Sequence, residues 1–115
     1  MDSFYFRKLD AYKNAKLFVQ YTYSLLEKFP IDERFALCSQ IRRASTSIAI
    51  NIAEGFGRFS SKEKIRFIEI AYGSLNDTLC ELEIAKDMGY ISDDDLVLSE
   101  RQLTTIAKQL SSLRA

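Results

Sequence analysis

Histidine is absent from this chain of 115 residues. That removes the side chain that most often serves as general base, as the base of a catalytic triad and as a zinc ligand. An enzyme made without it is restricted to carboxylate, lysine or tyrosine chemistry, and the sequence predicts a non-enzymatic protein. Only two cysteines occur, Cys38 and Cys80, both within helical patterns, where they read as small buried hydrophobes. No apolar run approaches the roughly 18 residues that span a bilayer. The N-terminal MDSFYFRKLD puts acidic and polar residues where an export signal needs a basic flank and an apolar stretch. The expectation is a cytoplasmic chain with no membrane contact, no cofactor and no small-molecule substrate. Proline occurs once and glycine four times, so few breaks interrupt the chain and its elements are long. The size suits one ordinary domain, residues 1–115.

Apolar residues fill the gaps between these scarce breakers with helical spacing. From about Leu9 to Phe29, one face carries Ala11, Ala15, Phe18, Val19, Thr22, Leu25, Leu26 and Phe29, and Pro30 ends it. Asp32 is the expected N-cap of a second helix running to about Gly55, with Glu33 in its first turn. Its core face is Leu37, Cys38, Ile41, Ala44, Ile48 and Ile52. After the break GFGRFSS, Ser60 and Glu63 form a capping-box signature for a third helix to about Met88, with Gly89 as its left-handed stop. Ile65, Ile68, Tyr72, Leu75, Leu79 and Leu82 form its face. Ser92 starts a fourth helix, striped by Leu96, Leu103, Ile106, Ala107, Leu110 and Leu113. No strand signal competes, and four amphipathic helices with short links predict an all-α, antiparallel up-down-up-down four-helix bundle.

The two middle helices carry more apolar surface than one core uses. Ile70, Gly73, Cys80, Ile84 and Met88 lie on a second flank of the third helix, and Ala49, Ile50 and Ala53 on a second flank of the second. Contiguous apolar surface of this kind is uncommon on a monomer, so Ile50, Ile70, Gly73, Ile84 and Met88 are expected in a homo-oligomer interface.

Charge is balanced in total and unbalanced in place. Sixteen Lys and Arg meet sixteen Asp and Glu, yet residues 1–66 hold 12 basic and 7 acidic residues while 67–115 hold 4 and 9. Such asymmetry marks a basic binding face, or basic early elements packed beside acidic late ones. Around the break, Gly55 and Gly57 with Arg58, Lys62, Lys64 and Arg66 suggest anion or RNA-backbone contact, although the spacing matches neither a Walker loop nor a dinucleotide fingerprint. A plain helical hairpin, whose glycines permit a tight reversal, is the reading these residues favour by themselves. The aromatic and basic interleaving of FYFRK and GRF suits single-stranded nucleic acid, and suits a bundle end plugged by rings just as well. The acidic residues Asp77, Glu81, Glu83, Asp87 and Asp93 to Asp95 lack the histidines of a di-metal bundle site, so no metal is expected.

Gln40, Arg43, Ser47, Asn51 and Glu54 share a polar flank of the second helix, bordering its core line. Folding the third helix back across the turn brings Arg43 level with Asp77 and Glu54 level with Arg66 or Lys62. The expectation is a structural seam in which these ion pairs fix helix register and Asn51 is hydrogen-bonded. Arg42 and Arg58 stay open as contacts to something outside.

The run Gln40-Ile41-Arg42-Arg43-Ala44, then Ser47-Ile48 and Asn51-Ile52-Ala53-Glu54-Gly55 with Arg58, resembles the 23S rRNA intervening-sequence proteins. Phe29-Pro30, Ala71-Tyr72-Gly73-Ser74-Leu75 and Met88-Gly89-Tyr90-Ile91 fit the same pattern, so the resemblance spans about Leu9 to Leu113. Tyr12, Ala36, Ala49 and Asp77 depart from it, at positions where that family more often has tryptophan, glycine, proline and glutamate. The resemblance implies a small bacterial four-helix protein that forms a homopentamer, without catalysis and with an RNA association. On that reading Arg42, Arg58, Lys62 and Lys64 contact RNA or ribonucleoprotein. The alternative is an oligomeric adaptor that recruits a protein partner and binds no nucleic acid.

Overall fold

The computed structural model describes residues 3–114, so Met1, Asp2 and Ala115 of the expected 1–115 domain lie outside the described residues. After a short 3-10 turn, Tyr5–Lys8, four helices follow: α1 (Asp10–Leu26), α2 (Leu37–Gly55), α3 (Ser61–Asp87) and α4 (Asp93–Arg114). No strand occurs among the described residues. α1 packs on α2 and α4, and α3 packs on α2 and α4, so each helix has two neighbours around one core.

The buried positions of every helix alternate in steps of three and four. They are Ala11, Ala15, Phe18, Thr22 and Leu25 in α1, with Leu26 buried beside them, and Cys38, Ile41, Ser45, Ile48, Ile52 and Gly55 in α2, with Ala49 buried beside them. In α3 they are Ile68, Ala71, Leu75, Thr78, Leu82 and Ala85, and in α4 Ser99, Leu103, Ile106 and Leu110. This spacing is the narrow seam of coiled-coil-like packing. It corrects the face expected for α3: Ile65 and Tyr72 are exposed, and the small residues Ala71, Thr78 and Ala85 take the core positions. A stripe drawn through bulky residues misses small ones, which let neighbouring helices come close.

One hydroxyl residue is fully buried on each helix: Thr22, Ser45, Thr78 and Ser99. Each donates to a carbonyl three or four residues earlier, at 2.8 Å for Thr22 to Phe18, Thr78 to Ser74 and Ser99 to Asp95, and 3.2 Å for Ser45 to Arg42. The hydroxyl is thereby satisfied inside its own helix, and burying it leaves no orphaned donor.

The helix ends show where chain chemistry was read well and where it was not. α1 stops at Leu26, three residues before the expected Phe29, because the residue ahead of Pro30 is driven out of the α region. Asp32 is not an N-cap. Ile31–Glu33 forms a 3-10 turn, α2 begins only at Leu37, and the Glu33 carboxylate reaches forward to accept from the Leu37 N–H at 3.3 Å. Ser60 does cap α3, its Oγ accepting from the Glu63 N–H at 3.1 Å. At the other end of α3, Tyr90 N–H donates to Ala85 O and Gly89 N–H to Lys86 O, both at 2.9 Å, with Gly89 at φ 81°. That is a Schellman stop, which needs the left-handed residue that glycine supplies without steric cost.

α4 opens with a reciprocal box: Asp95 N–H donates to Ser92 Oγ and Ser92 N–H to the Asp95 carboxylate, each at 3.0 Å. The Asp95 carboxyl is held below its ordinary value by that backbone N–H first and by Lys28 second, whose ammonium lies 2.9 Å away. Asn14 near the start of α1 donates to Gln109 near the end of α4 at 3.1 Å, and Arg114 pairs with Glu69 at 3.5 Å. These cross-helix bonds fix which residues meet at each end of the molecule.

Candidate nucleic-acid interface

At one end, the N-terminal turn folds over the α2–α3 connection. The Tyr5 and Phe56 ring centroids are 6.5 Å apart, Phe6 meets Tyr12 edge-on at 4.9 Å, and Phe4 meets Phe6 edge-on at 6.4 Å. Gly55 is needed here for close approach. A Cβ on it would lie 3.1 Å from the Phe67 Cβ and 3.3 Å from the Lys64 carbonyl oxygen, so α2 and α3 touch at their turn. Neither Gly55 nor Gly57 takes a positive φ, and the turn needs no left-handed residue.

Cations sit on these rings. Arg58 lies 4.7 Å from the Phe67 centroid, Arg66 5.3 Å from the same ring, Lys64 5.7 Å from Phe56, Arg7 4.7 Å from Phe4 and Lys16 4.9 Å from Tyr12. Ring faces attract cations and hold the long side chains in place while their charged heads stay wet. Lys62 is exposed and makes no ion pair among the described residues.

Dividing each helix at its midpoint, this end carries ten Lys and Arg against four Asp and Glu, a balance of +6 over the described residues. The opposite end carries six against eleven, a balance of −5. The charge asymmetry along the chain has become an asymmetry along a 46 Å molecule.

Of the four expected RNA-contacting residues, the fold gathers Arg58, Lys62 and Lys64 and leaves Arg42 apart. Arg42 lies toward the acidic end, donating to the Arg34 carbonyl oxygen at 3.3 Å, with its guanidinium 5.9 Å from the Tyr23 ring. The separation follows from helix length: Arg42 lies 13 residues before Gly55 on one continuous helix, about 20 Å along its axis.

The ionic seam is corrected. Glu54 pairs with Arg58 at 3.0 Å, not with Arg66 or Lys62, and Arg66 pairs with Glu63 at 3.5 Å. Arg43 and Asp77 are exposed and form no ion pair with each other. What crosses from α2 to α3 is neutral: the Ser47 and Ser74 hydroxyls are 2.8 Å apart, and within α2 the Asn51 amide supports Ser47 by donating to its carbonyl and hydroxyl at 2.8 and 2.9 Å. Local pairs three or four residues apart win because they cost less side-chain entropy than reaching across helices.

Glu81, one of the acidic residues for which the sequence predicts no metal, stands apart from the rest. It is half-buried, its Oε1 has no hydrogen-bond partner, and burial first and the Asp77 charge second push its carboxyl above the ordinary 4.5. A carboxyl protonated more readily in the folded chain than in the unfolded one weakens the fold above its raised pKa, and that penalty vanishes below 4.5. Glu81→Gln should therefore stabilise the protein at neutral pH, on the order of 1 kcal/mol or less for a half-buried group. Thermal melts of both proteins from pH 7 to 4 check this, and the gap should close as pH falls.

Of the expected interface residues, Ile50 is 57% and Met88 59% exposed, Ile70 and Ile84 are exposed, and a Cβ on Gly73 would meet nothing within 4 Å. Ala49, placed beside them on sequence grounds, is instead buried within the chain and lines a groove of about 530 Å³ with Phe4, Phe6 and Tyr12. Cys38 is buried, and burial pushes its thiol up, whereas Cys80 is exposed on the outer flank of α3 and corrects the expectation of two buried thiols. Among the described residues no group of three or more His, Cys, Asp or Glu side chains could hold a metal ion, and no helix is long and apolar enough to cross a membrane.

The family model described as 23S rRNA-intervening sequence protein matches residues 7–112. No curated protein matches the chain. A 1.70 Å crystal structure of a protein of unknown function, from the S23 ribosomal protein family of Bacteroides thetaiotaomicron VPI-5482, resembles it with a TM-score of 0.82 and 26% identity. The match covers 90% of this chain and 97% of that one.

Proposed function

The chain belongs to the 23S rRNA-intervening sequence protein family, and from that premise we propose a non-enzymatic, oligomeric bundle that contacts RNA through its basic end. The observation that carries this reading is the separation of charge: +6 and −5 at opposite ends of a 46 Å molecule. Electrostatic screening acts over about 8 Å at physiological salt, so the acidic end does not cancel the field that the basic end presents to a phosphate chain. A net charge of zero is then no obstacle to RNA binding. Arg58, Lys62 and Lys64 are the proposed contacts, and the helices are proposed to run up-down-up-down as one cytoplasmic domain.

Self-association is supported by the outer stripe of α3, where Ile70, Gly73, Cys80, Ile84 and Met88 continue a helical spacing that the core does not use. With Ile50 of α2 it forms the proposed interface between copies, in the pentamer that the family resemblance implies. Light scattering at micromolar concentration should find a particle several times 13.2 kDa, and a 13.2 kDa species would contradict assembly.

The test of RNA contact is fluorescence anisotropy of a labelled single-stranded RNA at 50 mM salt. Saturable binding is expected, and an unchanged signal at high micromolar protein would overturn the reading in favour of an adaptor that recruits a protein.

A further inference from the structure

We propose that the RNA held at the basic end is single-stranded, its bases stacking on the exposed rings of Tyr5 and Phe59 while Arg58 and Lys64 hold its backbone. This rests on the RNA reading above and adds which form of RNA is taken and which side chains choose it.

The aromatic residues at this end divide into two kinds. Phe6, Phe56 and Phe67 are half-buried and plug the end of the bundle. Phe59 is no plug, being 105% exposed in the connection between α2 and α3, and Tyr5 packs against Phe56 yet leaves 50% of its surface open. A phenyl ring left wholly in water forgoes about 1.5–3 kcal/mol of burial. Folding gives no reason for its position, and since Phe35 at the other end is 89% exposed, what sets Phe59 apart is the cationic groove beside it.

Both exposed rings line a single open groove of about 770 Å³, together with Ser3, Phe56, Gly57, Arg58 and Lys64. Among the described residues the lining holds two cations and no acid. Gly57 lines the groove without a side chain. A groove with aromatic faces and positive side chains is what an unpaired strand uses: flat bases lie on the rings and phosphates lie against the cations. A duplex offers neither rim its bases, because their faces are stacked on one another, and A-form RNA is recognised by shape across a wide surface. Stacking also suits a site that lacks base-edge readers, since every base has a flat face.

The probes are a roughly 12-nucleotide single-stranded RNA, the duplex made from it, and the same ribose–phosphate strand without bases. At one salt concentration the single strand should bind more tightly than both others. Phe59→Ala and Tyr5→Ala should each weaken single-strand binding by about 5- to 150-fold and leave the salt dependence unchanged, while Phe59→Tyr and Tyr5→Phe retain it. Phe59 touches no core residue that its loss would unpack, and an unshifted melting temperature confirms that Phe59→Ala folds. Equal affinity for duplex and single strand, or full affinity in Phe59→Ala and Tyr5→Ala, would overturn this inference while leaving RNA contact in place. Absence of binding to any of the three probes would overturn the RNA reading itself, and this inference with it.

Discussion

Phe18→Ala should lower the stability of the protein by about 3–5 kcal/mol. Phe18 is the bulkiest side chain that the described residues bury completely, and it sits on the inner stripe of α1 between Ala15 and Thr22. Truncation removes most of a ring from the core and leaves a cavity that its small neighbours on the same helix cannot fill. Domains of this size are stable by about 5–15 kcal/mol, so the loss is a third or more of the total in most cases. A denaturant melt reads it as a fall in midpoint with the slope unchanged. Leu17→Ala, one residue away, should change stability by less than about 0.5 kcal/mol, because Leu17 is exposed and outside the stripe. Similar losses from the two variants would mean that α1 does not face the core as described.

The second large effect concerns binding. Replacing Arg58, Lys62 and Lys64 together by glutamine should weaken single-stranded RNA binding about 100-fold at 0.1 M salt. The estimate follows from counterion release: each phosphate contact with a single strand contributes a slope of about 0.7 in log affinity against log salt. Three contacts give about two decades at 0.1 M. All three side chains are at the surface or half-buried, and the one ion pair lost, Arg58 with Glu54, is exposed on both sides. With the ring contacts of Arg58 and Lys64 also lost, stability should fall by at most about 3 kcal/mol, and a melt of the triple variant separates loss of binding from loss of fold. Undiminished affinity in a folded triple variant would place the contact surface elsewhere.

How much of this was legible in the sequence depends on what each feature required. Helix number and class were legible because long apolar periodicities lay between very few breakers. The capping of α3 by Ser60 and its stop at Gly89 were legible because each depends on residues a few positions apart. Core positions held by Ser45, Ala71, Thr78 and Ser99 were not, because hydrophobic periodicity gives no weight to a small residue that lets helices approach or to a hydroxyl bonded within its own helix. Asp32 failed as a cap because Pro30 shapes the chain after it into a 3-10 turn, delaying α2 by a helical turn.

In the candidate site, the grouping of Arg58, Lys62 and Lys64 was visible from proximity in sequence. The arrival of Arg7, Lys16 and Tyr5 at the same end follows from the expected up-down order, whereas the packing of Tyr5 on Phe56 was not visible, since it depends on how the N-terminal turn lies against α2. The ion pairs failed for the opposite reason: helices brought Arg43 and Asp77 onto adjacent elements without making them partners, and hydroxyl and amide groups took the seam instead.

The central claim is that the basic end, and not the chain as a whole, meets RNA. It is tested most directly by the salt dependence of RNA affinity from 50 to 200 mM, measured side by side for the wild type and a variant with Arg42 and Arg43 at the far end replaced by glutamine. The account predicts a steep fall for the wild type and an almost superimposable curve for the far-end variant. A flat wild-type curve, or a slope reduced by about 1.4 in the far-end variant, the loss of two single-strand phosphate contacts, would contradict it.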